Sequence, residues 1–431
     1  MWINVIFNSE FIHNYFYTIF LSLYGVEALI HKPTAPTTIT TIFLLLSSLS
    51  YRVFFMCIKE DLFMKFITEK SLLQDAISTV QKAITGKSTM PILQGIYISA
   101  KDSTLTLIGS DIDVSIETKI EANIIEEGEI VLDSRLFGEI VRKLPNDQIE
   151  ITKIANNNIE IICQKSIVQL IHMSGEEYPN LPIVDEDVVL SISQKSLKNM
   201  IKSTIFAISQ DDTRPILTGV LFEIKNKKLN LVALDGYRVA FRSENTDCSY
   251  DKEAVIPGKT LNEISKILND SDDEVQITFT NNQILFNFGN TKVISRLLEG
   301  EFIKYSSIIP QEYKLKLSVR RDDMLSCIER ASLMAKDGNT NLVKLDIEED
   351  VMIVTSNSQL GKAREEVNIN LQGEGLKIAF NSKYLIDVFK IMEEDEIIME
   401  LTSPVTPCVV RNKNEDNCTY LLLPVRLLNN N

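Results

Sequence analysis

The sequence predicts an α+β protein built from three tandem repeats, each of which contains two halves made of one helix followed by strands. Two observations predict this fold class. Apolar residues recur at three- and four-residue steps in several segments, as on one face of a helix, and then alternate at steps of two, as in strands. The same motifs also return along the 431-residue chain at intervals of about 120 residues, which indicates internal repeats.

The middle copy of the repeat, residues 192–242, has the clearest pattern. Its first part places an apolar stripe on one side of a helix, with Lys198 and Lys202 on the opposite side. After Pro215 the period changes to two, as expected for a strand hairpin and a third strand. The stripe consists of Leu197, Met200, Ile201, Ile205 and Ile208, and the first strand alternates through Val220, Phe222 and Ile224.

Two other segments repeat this unit. Residues 67–118 share its Lys-Ser-Leu sequence and its Pro-Ile-Leu-x-Gly sequence, so that Pro91 and Gly95 match Pro215 and Gly219. A fainter third copy begins at Leu317. The chain beyond residue 63 therefore divides into three predicted domains, residues 64–187, 188–313 and 314–431, with linkers near 183–188 and 311–316.

Each predicted domain also contains a second helix followed by alternating strands. In the first domain this helix carries Leu136, Phe137, Ile140, Val141 and Leu144 on one face. Every repeat is thus doubled. The three second-helix segments are residues 133–146, 257–270 and 381–394.

Residues 1–63 differ from the rest of the chain. They contain two uncharged or nearly uncharged runs that are too short, or too rich in Ser and Thr, to match a spanning helix of roughly 20 apolar residues. They also lack the pattern of a cleaved signal peptide. A two-helix membrane anchor is an alternative, but the favoured interpretation is a dispensable or untranslated extension before a functional start at Met64.

Few residues suit catalysis or metal binding. The six cysteines form no C-x-x-C pair, which indicates a reducing cytoplasm and small buried side chains, without zinc or disulfides. Beyond residue 63, His172 is the only histidine, and no nucleophile or phosphate-binding motif occurs. An enzyme is therefore not expected, and neither is a cofactor. Asp111 and Asp113 leave a carboxylate enzyme as a minor alternative, although such a pair usually forms a turn.

Charge is distributed unevenly. The chain has a net charge of −15, which by itself argues against nucleic-acid binding. The six predicted helices nevertheless contain 14 Lys or Arg against 7 Asp or Glu. Helices that share one side would make that side basic and suited to phosphate contacts without sequence preference. The alternative is that these cations only solvate exposed helix faces.

Five motifs, in order, connect the chain with a known family. They are MKF at residue 64, KSTMPIL at 87–93, ALDGYRVA at 233–240, EGEF at 299–302 and LPVRL at 423–427. Through them the chain beyond residue 63 resembles the bacterial β sliding clamps, the non-catalytic processivity subunits of DNA polymerase III. The resemblance implies the DNA-clamp fold, with helices lining the inner face and sheets outside. It also implies a head-to-tail homodimeric ring around double-stranded DNA.

The resemblance also implies three groups of site residues. Lys87 matches a DNA-contacting position, while the helix faces themselves suggest Arg135, Arg142, Lys198 and Lys202. The dimer contact maps to Val168 and Leu170 of one subunit against Leu333 and Met334 of the other. The partner-peptide pocket maps to Arg214, Leu217, Gly236, Tyr237, Arg238, Val239, Val405, Leu423, Pro424, Val425, Arg426 and Leu427.

The partners implied are the replicative polymerase subunit, clamp-loader subunits and other clamp-binding replication and repair proteins. The chain departs from the family pattern in two places. Asp211 and Asp212 make the loop before Arg214 acidic, and the tail extends four residues past Leu427. A repeat-built scaffold that binds peptides without encircling DNA remains the alternative function.

Overall fold

The computed structural model describes residues 64–86, 90–180, 189–310, 312–337, 341–413 and 417–426. The predictions for residues 1–63, for Lys87 and for Leu427 lie outside these ranges. Within them, no helix is long and apolar enough to cross a membrane.

Six α-helices confirm the helices expected from the apolar stripes. Side chains at the N-caps start three of them, because Asp133, Ser193 and Asn381 each accept a hydrogen bond from a backbone N–H of the first turn. The helices are α1 Lys70–Val80, α2 Ser134–Lys143, α3 Gln194–Ile205, α4 Gly258–Ile267, α5 Arg321–Asp337 and α6 Ser382–Ile391.

The strands follow the same doubled repeat. In the first repeat they are β1 Lys65–Glu69, β2 Gly95–Lys101, β3 Thr104–Ser110, β4 Val114–Glu121, β5 Asn123–Glu126, β6 Gly128–Asp133, β7 Gln148–Ile154, β8 Asn158–Cys163, β9 Ser166–Ile171 and β10 Met173–Ser174. In the second they are β11 Val189–Ser193, β12 Gly219–Lys225, β13 Lys228–Leu234, β14 Arg238–Asn245, β15 Lys252–Pro257, β16 Glu274–Phe279, β17 Gln283–Phe288 and β18 Thr291–Arg296. In the third they are β19 Leu315–Arg320, β20 Leu342–Ile347, β21 Val351–Asn357, β22 Lys362–Gln372, β23 Lys377–Asn381, β24 Glu396–Leu401, β25 Cys408–Asn412 and β26 Cys418–Leu422.

Each half-repeat has the same plan, in which one strand leads into the helix and three antiparallel strands follow it. The strand before each helix was not predicted, because it is short and merges with the helix start. In the described residues the strands form three sheets, of 5, 9 and 12 strands. The fold class is therefore α+β with three doubled repeats, as predicted.

Strand pairing joins the repeats to one another. Strand β4 of the first repeat pairs with β18 of the second, and β14 of the second pairs with β26 of the third. We call these pairings the first joint and the second joint. Each joint connects the last strand of a first half-repeat to the last strand of a second half-repeat, and it makes one continuous sheet across two repeats.

The core lies between the helices and the sheets. Six phenylalanine side chains are almost fully buried, two in each repeat, and each such burial contributes about 1.5–3 kcal/mol to stability. They are Phe66, Phe137, Phe222, Phe286, Phe380 and Phe389. Four of the described cysteines, Cys163, Cys327, Cys408 and Cys418, are also buried and unbridged. They serve as small apolar side chains, as expected.

Candidate functional site

The turn between β13 and β14 is the centre of the expected pocket. One carboxylate oxygen of Asp235 accepts hydrogen bonds from the backbone N–H groups of Tyr237, at 2.9 Å, and Arg238, at 3.0 Å. Gly236 has a φ of 92°, which favours glycine at this position of the turn. The guanidinium of Arg214 lies 3.9 Å from the point where a Cβ on Gly236 would sit, so the bare backbone leaves room for it.

The chain after β26 runs alongside this turn. The backbone N–H of Leu423 donates to the carbonyl of Tyr237 at 2.9 Å, and that of Val425 donates to the carbonyl of Ala379 at 2.8 Å. The first bond holds the tail of the third repeat against the turn of the second, and the second bond fixes the tail to β23 of its own repeat. Leu423, Pro424 and Val425 are therefore brought to the pocket by the second joint.

Apolar side chains supply the floor and the rim. Leu217 and Val239 are buried in one cluster on the face of the sheet opposite the helices, together with Leu421 across the joint. Tyr237 and Val405 are 60% and 61% exposed. Leu423 and Val425 are 36% and 40% exposed, and Arg214 and Arg426 are exposed as well. Val405 belongs to the turn before β25, whose first residue Cys408 is paired with Leu422.

The position of Arg238 differs from the prediction that its side chain forms part of the pocket rim. Side chains alternate along a strand, and Val239 faces the apolar cluster, so Arg238 points to the helix side of the sheet. Its guanidinium donates to Asp235 at 3.0 Å, to Asp387 of α6 at 2.7 Å and to the Phe206 carbonyl at 2.7 Å. It also lies 4.5 Å from the ring centre of Tyr384. Arg238 thus links the second and third repeats at the second joint, and its buried side chain does not form the expected rim.

The aromatic ring of Tyr237, which is exposed at the turn, also contacts α6 on the helix side of the sheet. It stacks on Tyr384 with ring centres 6.2 Å apart and an interplanar angle of 27°. Burial, followed by the nearby Asp235 carboxylate, raises the pKa of Tyr384. Sequence reasoning missed Tyr384, Asp387 and Phe206, which lie on other elements than Arg238 and far from it in the chain.

The four described residues that were expected to contact DNA have different surroundings. Arg135 is 88% exposed and has only Glu139, at 3.5 Å on the next helical turn, as an ionic partner within the described chain. Arg142 and Lys202 are exposed. Lys198 is only 14% exposed, and its ammonium pairs with Asp270 at 3.0 Å. This hydrogen bond lowers the pKa of Asp270, so the charge of Lys198 is largely compensated inside the repeat.

The residues expected at the dimer contact lie on two separate elements. Val168 and Leu170 are half-buried on β9, whereas Leu333 of α5 is 61% exposed. Met334 beside it is half-buried.

The described residues offer little for catalysis or metal binding. They contain no group of three His, Cys, Asp or Glu side chains placed to hold a metal ion. Asp111 accepts hydrogen bonds from the backbone N–H groups of Asp113 and Val114, at 2.9 and 2.7 Å, so the Asp-x-Asp pair forms a turn. His172 is 5% exposed, and burial lowers the pKa of its imidazole.

Comparison with known proteins accounts for nearly all of the described chain. Three family models match it in order, and each is described as a part of the DNA polymerase III beta subunit. The N-terminal domain matches residues 64–182, the central domain 191–304 and the C-terminal domain 306–426. The chain is 37% identical over 374 residues to the beta sliding clamps of Staphylococcus epidermidis and Staphylococcus aureus, covering 84% of this chain and 99% of each relative.

Solved structures agree with the sequence matches. The DNA polymerase sliding clamp of Bacillus subtilis has a TM-score of 0.82 and 38% identity, covering 85% of this chain and all of that structure. A sliding clamp from Bartonella birtlesii, solved bound to griselimycin, has a TM-score of 0.80 and 28% identity, covering 85% of this chain and all of that structure. The fold and these matches define a DNA sliding clamp. The chain belongs to the DNA polymerase III beta subunit family, as its five motifs predicted.

Proposed function

We propose that two copies of this chain form a ring that encircles double-stranded DNA in the cytoplasm and tethers the replicative polymerase. Clamp-loader subunits and other replication and repair proteins bind the same pocket, and the ring itself catalyses nothing. The observation that carries the proposal is the pair of strand edges that the two joints leave unused. A ring built from chains of three repeats has three junctions between neighbouring repeats for each chain, and each junction needs one such pairing. A single chain makes two of the three by itself.

The two unused edges belong to β9 and β22. Strand β9 is the end of its sheet, although it corresponds to β18 and β26, which are both paired at joints. Strand β22 corresponds to β4 and β14, and its residues 362–368 pair only with β21 in the described chain. An exposed edge is a template for pairing with another chain. Joining β9 of one copy to β22 of the other would close the ring twice.

The first joint predicts the register of this closure. There, Val293 of β18 lies opposite Ile116 of β4. Counting from the hairpin turns, Val168 holds the place of Val293 in β9, and Ala363 holds the place of Ile116 in β22. Val168 of one subunit is therefore expected to lie opposite Ala363 of the other.

The second joint supports the expected helix contact. Phe206, just after α3, lies with its ring centre 5.7 Å from that of Tyr420 on β26. Leu333 occupies the corresponding place in α5, and Val168 occupies the place of Tyr420. Leu333 is thus expected to meet Val168 across the subunit boundary, with Met334 and Leu170 next to them, and its 61% exposure in the single chain is consistent with this.

The charge pattern suits a protein that stays on DNA because it encircles the duplex. Arg135, Arg142 and Lys202 project from helices of a protein whose net charge is −15. A few phosphate contacts are weak at cellular salt and independent of base sequence. A closed ring can therefore slide on the duplex and stay on it without tight binding.

The pocket surface suits a short peptide. Tyr237, Val405, Leu423 and Val425 provide exposed apolar side chains, while Arg214 and Arg426 provide cations next to them. Such a surface binds aliphatic or aromatic anchors with an acidic or polar flank. The griselimycin-bound clamp of Bartonella birtlesii supports a ligand site in the family.

Loading onto nicked circular DNA, followed by linearisation, tests the proposal. The loaded clamp is expected to co-migrate with the circle and to fall off once the DNA has ends, because only a linked ring behaves in this way. The control is the Leu333→Lys, Met334→Lys double variant. Charges buried in the contact should cost several kcal/mol, on the order of 3–5, so this variant is expected to run as a monomer and to be absent from both DNA forms. Retention on linear DNA would instead indicate ordinary binding, and absence of the unmodified chain from the circle as well would indicate a scaffold.

A further inference from the structure

The two joints have the same backbone framework. In the first joint Asp111 accepts hydrogen bonds from the N–H groups of Asp113 and Val114. In the second joint Asp235 does the same for Tyr237 and Arg238. Val114 therefore stands in the place of Arg238.

The chains that leave the joints also correspond. The N–H of Arg296 donates to the Asp113 carbonyl at 2.9 Å, and that of Leu298 donates to the Val255 carbonyl at 2.8 Å. These distances equal those of the two bonds that Leu423 and Val425 make in the second joint. The joints can thus be compared position by position.

The first joint keeps the groups that bind the Arg238 guanidinium but lacks the arginine. Glu263 is the sixth residue of α4, as Asp387 is the sixth residue of α6, and Asp111 matches Asp235. The carbonyl of Lys82 holds the place of the Phe206 carbonyl, because the buried stripes of α1 and α3 correspond one to one.

The side chains around these groups are less bulky in the first joint than in the second. Val114 replaces the arginine, Thr260 replaces Tyr384 as the third residue of its helix, and the Lys82 side chain replaces the ring of Phe206. A cavity of about 340 Å³ is present in the first joint at this place, and Asp111, Val114, Thr260, Glu263 and Lys82 are among the residues that line it. Val114, Thr260 and Lys82, the equivalents of Arg238, Tyr384 and Phe206, all line the cavity, and so do Arg296 and Leu298, the equivalents of Leu423 and Val425.

The carboxylates of the cavity have loosely held partners. Lys259, which is 66% exposed, approaches Asp111 at 3.4 Å, and Lys266, which is 51% exposed, approaches Glu263 at 2.7 Å. Ion pairs of exposed lysines contribute little and are easily exchanged. The ammonium of Lys82, which follows α1, donates to the carbonyl of Ser78 at 3.0 Å and also interacts electrostatically with Glu263. The side chain of Asp111 is only 11% exposed, so a cation that reaches it loses little to solvent.

We propose that this cavity binds the guanidinium group of an arginine side chain presented by a protein partner. The guanidinium would contact Asp111 and Glu263 as that of Arg238 contacts Asp235 and Asp387. A planar group with five donors can bridge two carboxylates from different elements, whereas an ammonium acts as a point charge. The site is separate from the pocket at the second joint and would give the clamp a second contact point for the same or another partner.

Methyl NMR of the full chain tests the proposal, with N-acetyl-arginine amide as the probe. The Val114 and Leu298 methyl signals are expected to shift saturably at millimolar probe, while those of Leu217 and Val239 stay in place. N-acetyl-lysine amide should bind at least about tenfold more weakly. Equal binding of the two probes, or no saturable shift at Val114, would overturn the proposal. Tighter binding of free L-arginine would overturn the assignment to a protein side chain.

Matched variants distinguish a site that depends on the positions of Asp111 and Glu263 from a surface that depends only on negative charge. Asp111→Asn keeps the acceptor that forms the turn and removes only the charge, and Glu263→Gln removes the other carboxylate. Each is expected to weaken the arginine probe by at least about tenfold. Asp113 and Glu299 line the same cavity but do not correspond to Asp235 or Asp387. Asp113→Asn and Glu299→Gln should therefore change the affinity by less than about twofold. Equal losses in all four variants would show a non-specific acidic patch and refute the site.

Val114→Arg provides a test in which the arginine is part of the chain. It places a guanidinium where the second joint has Arg238, so it should fill the cavity, abolish probe binding and raise Tm. A folded Val114→Arg protein that still binds the probe with unchanged affinity would contradict the proposal.

Discussion

Tyr237 and Val405 are the side chains on which the pocket proposal depends most directly. Both are about 60% exposed, so their truncation leaves the core intact. We expect Tyr237→Ala and Val405→Asp each to weaken a polymerase-derived peptide by about 2 kcal/mol, because aromatic and aliphatic anchors dominate such surfaces. Fluorescence anisotropy measures the affinity, and dimer mass serves as the folding control.

Tyr250→Ala is the matched control for these variants. Tyr250 is 65% exposed, but it lies before β15 and away from the pocket. It should leave peptide affinity unchanged. Equal losses in Tyr250→Ala and Tyr237→Ala would place the peptide site elsewhere.

Arg238 shows where residue-level prediction from the sequence ends. Its motif, ALDGYRVA, forms a turn whose geometry follows from Asp235 and Gly236, and the pocket at this turn stays a prediction. The direction of the Arg238 side chain depends on strand register, and its partner Asp387 is 149 residues away. Local patterns contain no information on such a contact, so the sequence could not show that the Arg238 side chain is buried away from the expected rim.

His172 predicts a pH dependence of stability. Burial lowers the pKa of its imidazole in the folded chain below the ordinary value of 6.5. The unfolded chain therefore takes up a proton first on acidification, and stability is lost as pH falls below about 6.5 towards the folded pKa. Urea unfolding at pH 7.5 and pH 5.5 should show a smaller decrease in His172→Gln than in the parent chain. An identical decrease in both would assign the effect to other groups.

At the level of elements, the repeats were predictable because helix and strand periods recur with little change. The pairing of the strands was less predictable from the sequence. The joints depend on which strand ends a half-repeat, and the leading strands β1, β11 and β19 are short segments that periodicity does not separate from the following helix. The doubled repeat could be predicted from sequence, whereas the sheets that run across repeats could not.

The inferred register predicts a cross-link between subunits. Paired residues of antiparallel strands have Cα atoms about 4.5–5.5 Å apart, which is within the range of a disulfide. Val168→Cys with Ala363→Cys is therefore expected to form a covalent dimer on mild oxidation, as seen on a non-reducing gel. Each single variant and the pair Ile167→Cys with Ala363→Cys, which differs by one residue and one strand face, should not. Efficient cross-linking of the shifted pair would disprove the register.

At the level of the whole molecule, the first 63 residues are expected to be dispensable. The family matches begin at residue 64, where a complete first half-repeat also begins. A chain of residues 64–431 should match the full chain in Tm, dimer mass and polymerase stimulation. Loss of any of the three in the shortened protein would make the extension a working part.

The unused edges of β9 and β22 have a consequence for assembly stoichiometry. They differ from each other, so each added copy carries one edge of each kind, and nothing in the edge chemistry alone limits the number of copies. A heterologous contact of this type produces either a closed ring or an open fibre, depending on the rotation between copies. In the proposed ring, curvature alone therefore limits the number of copies to two. A small change of the angle at either joint would alter that curvature and produce a larger ring or an open filament without altering one interface residue.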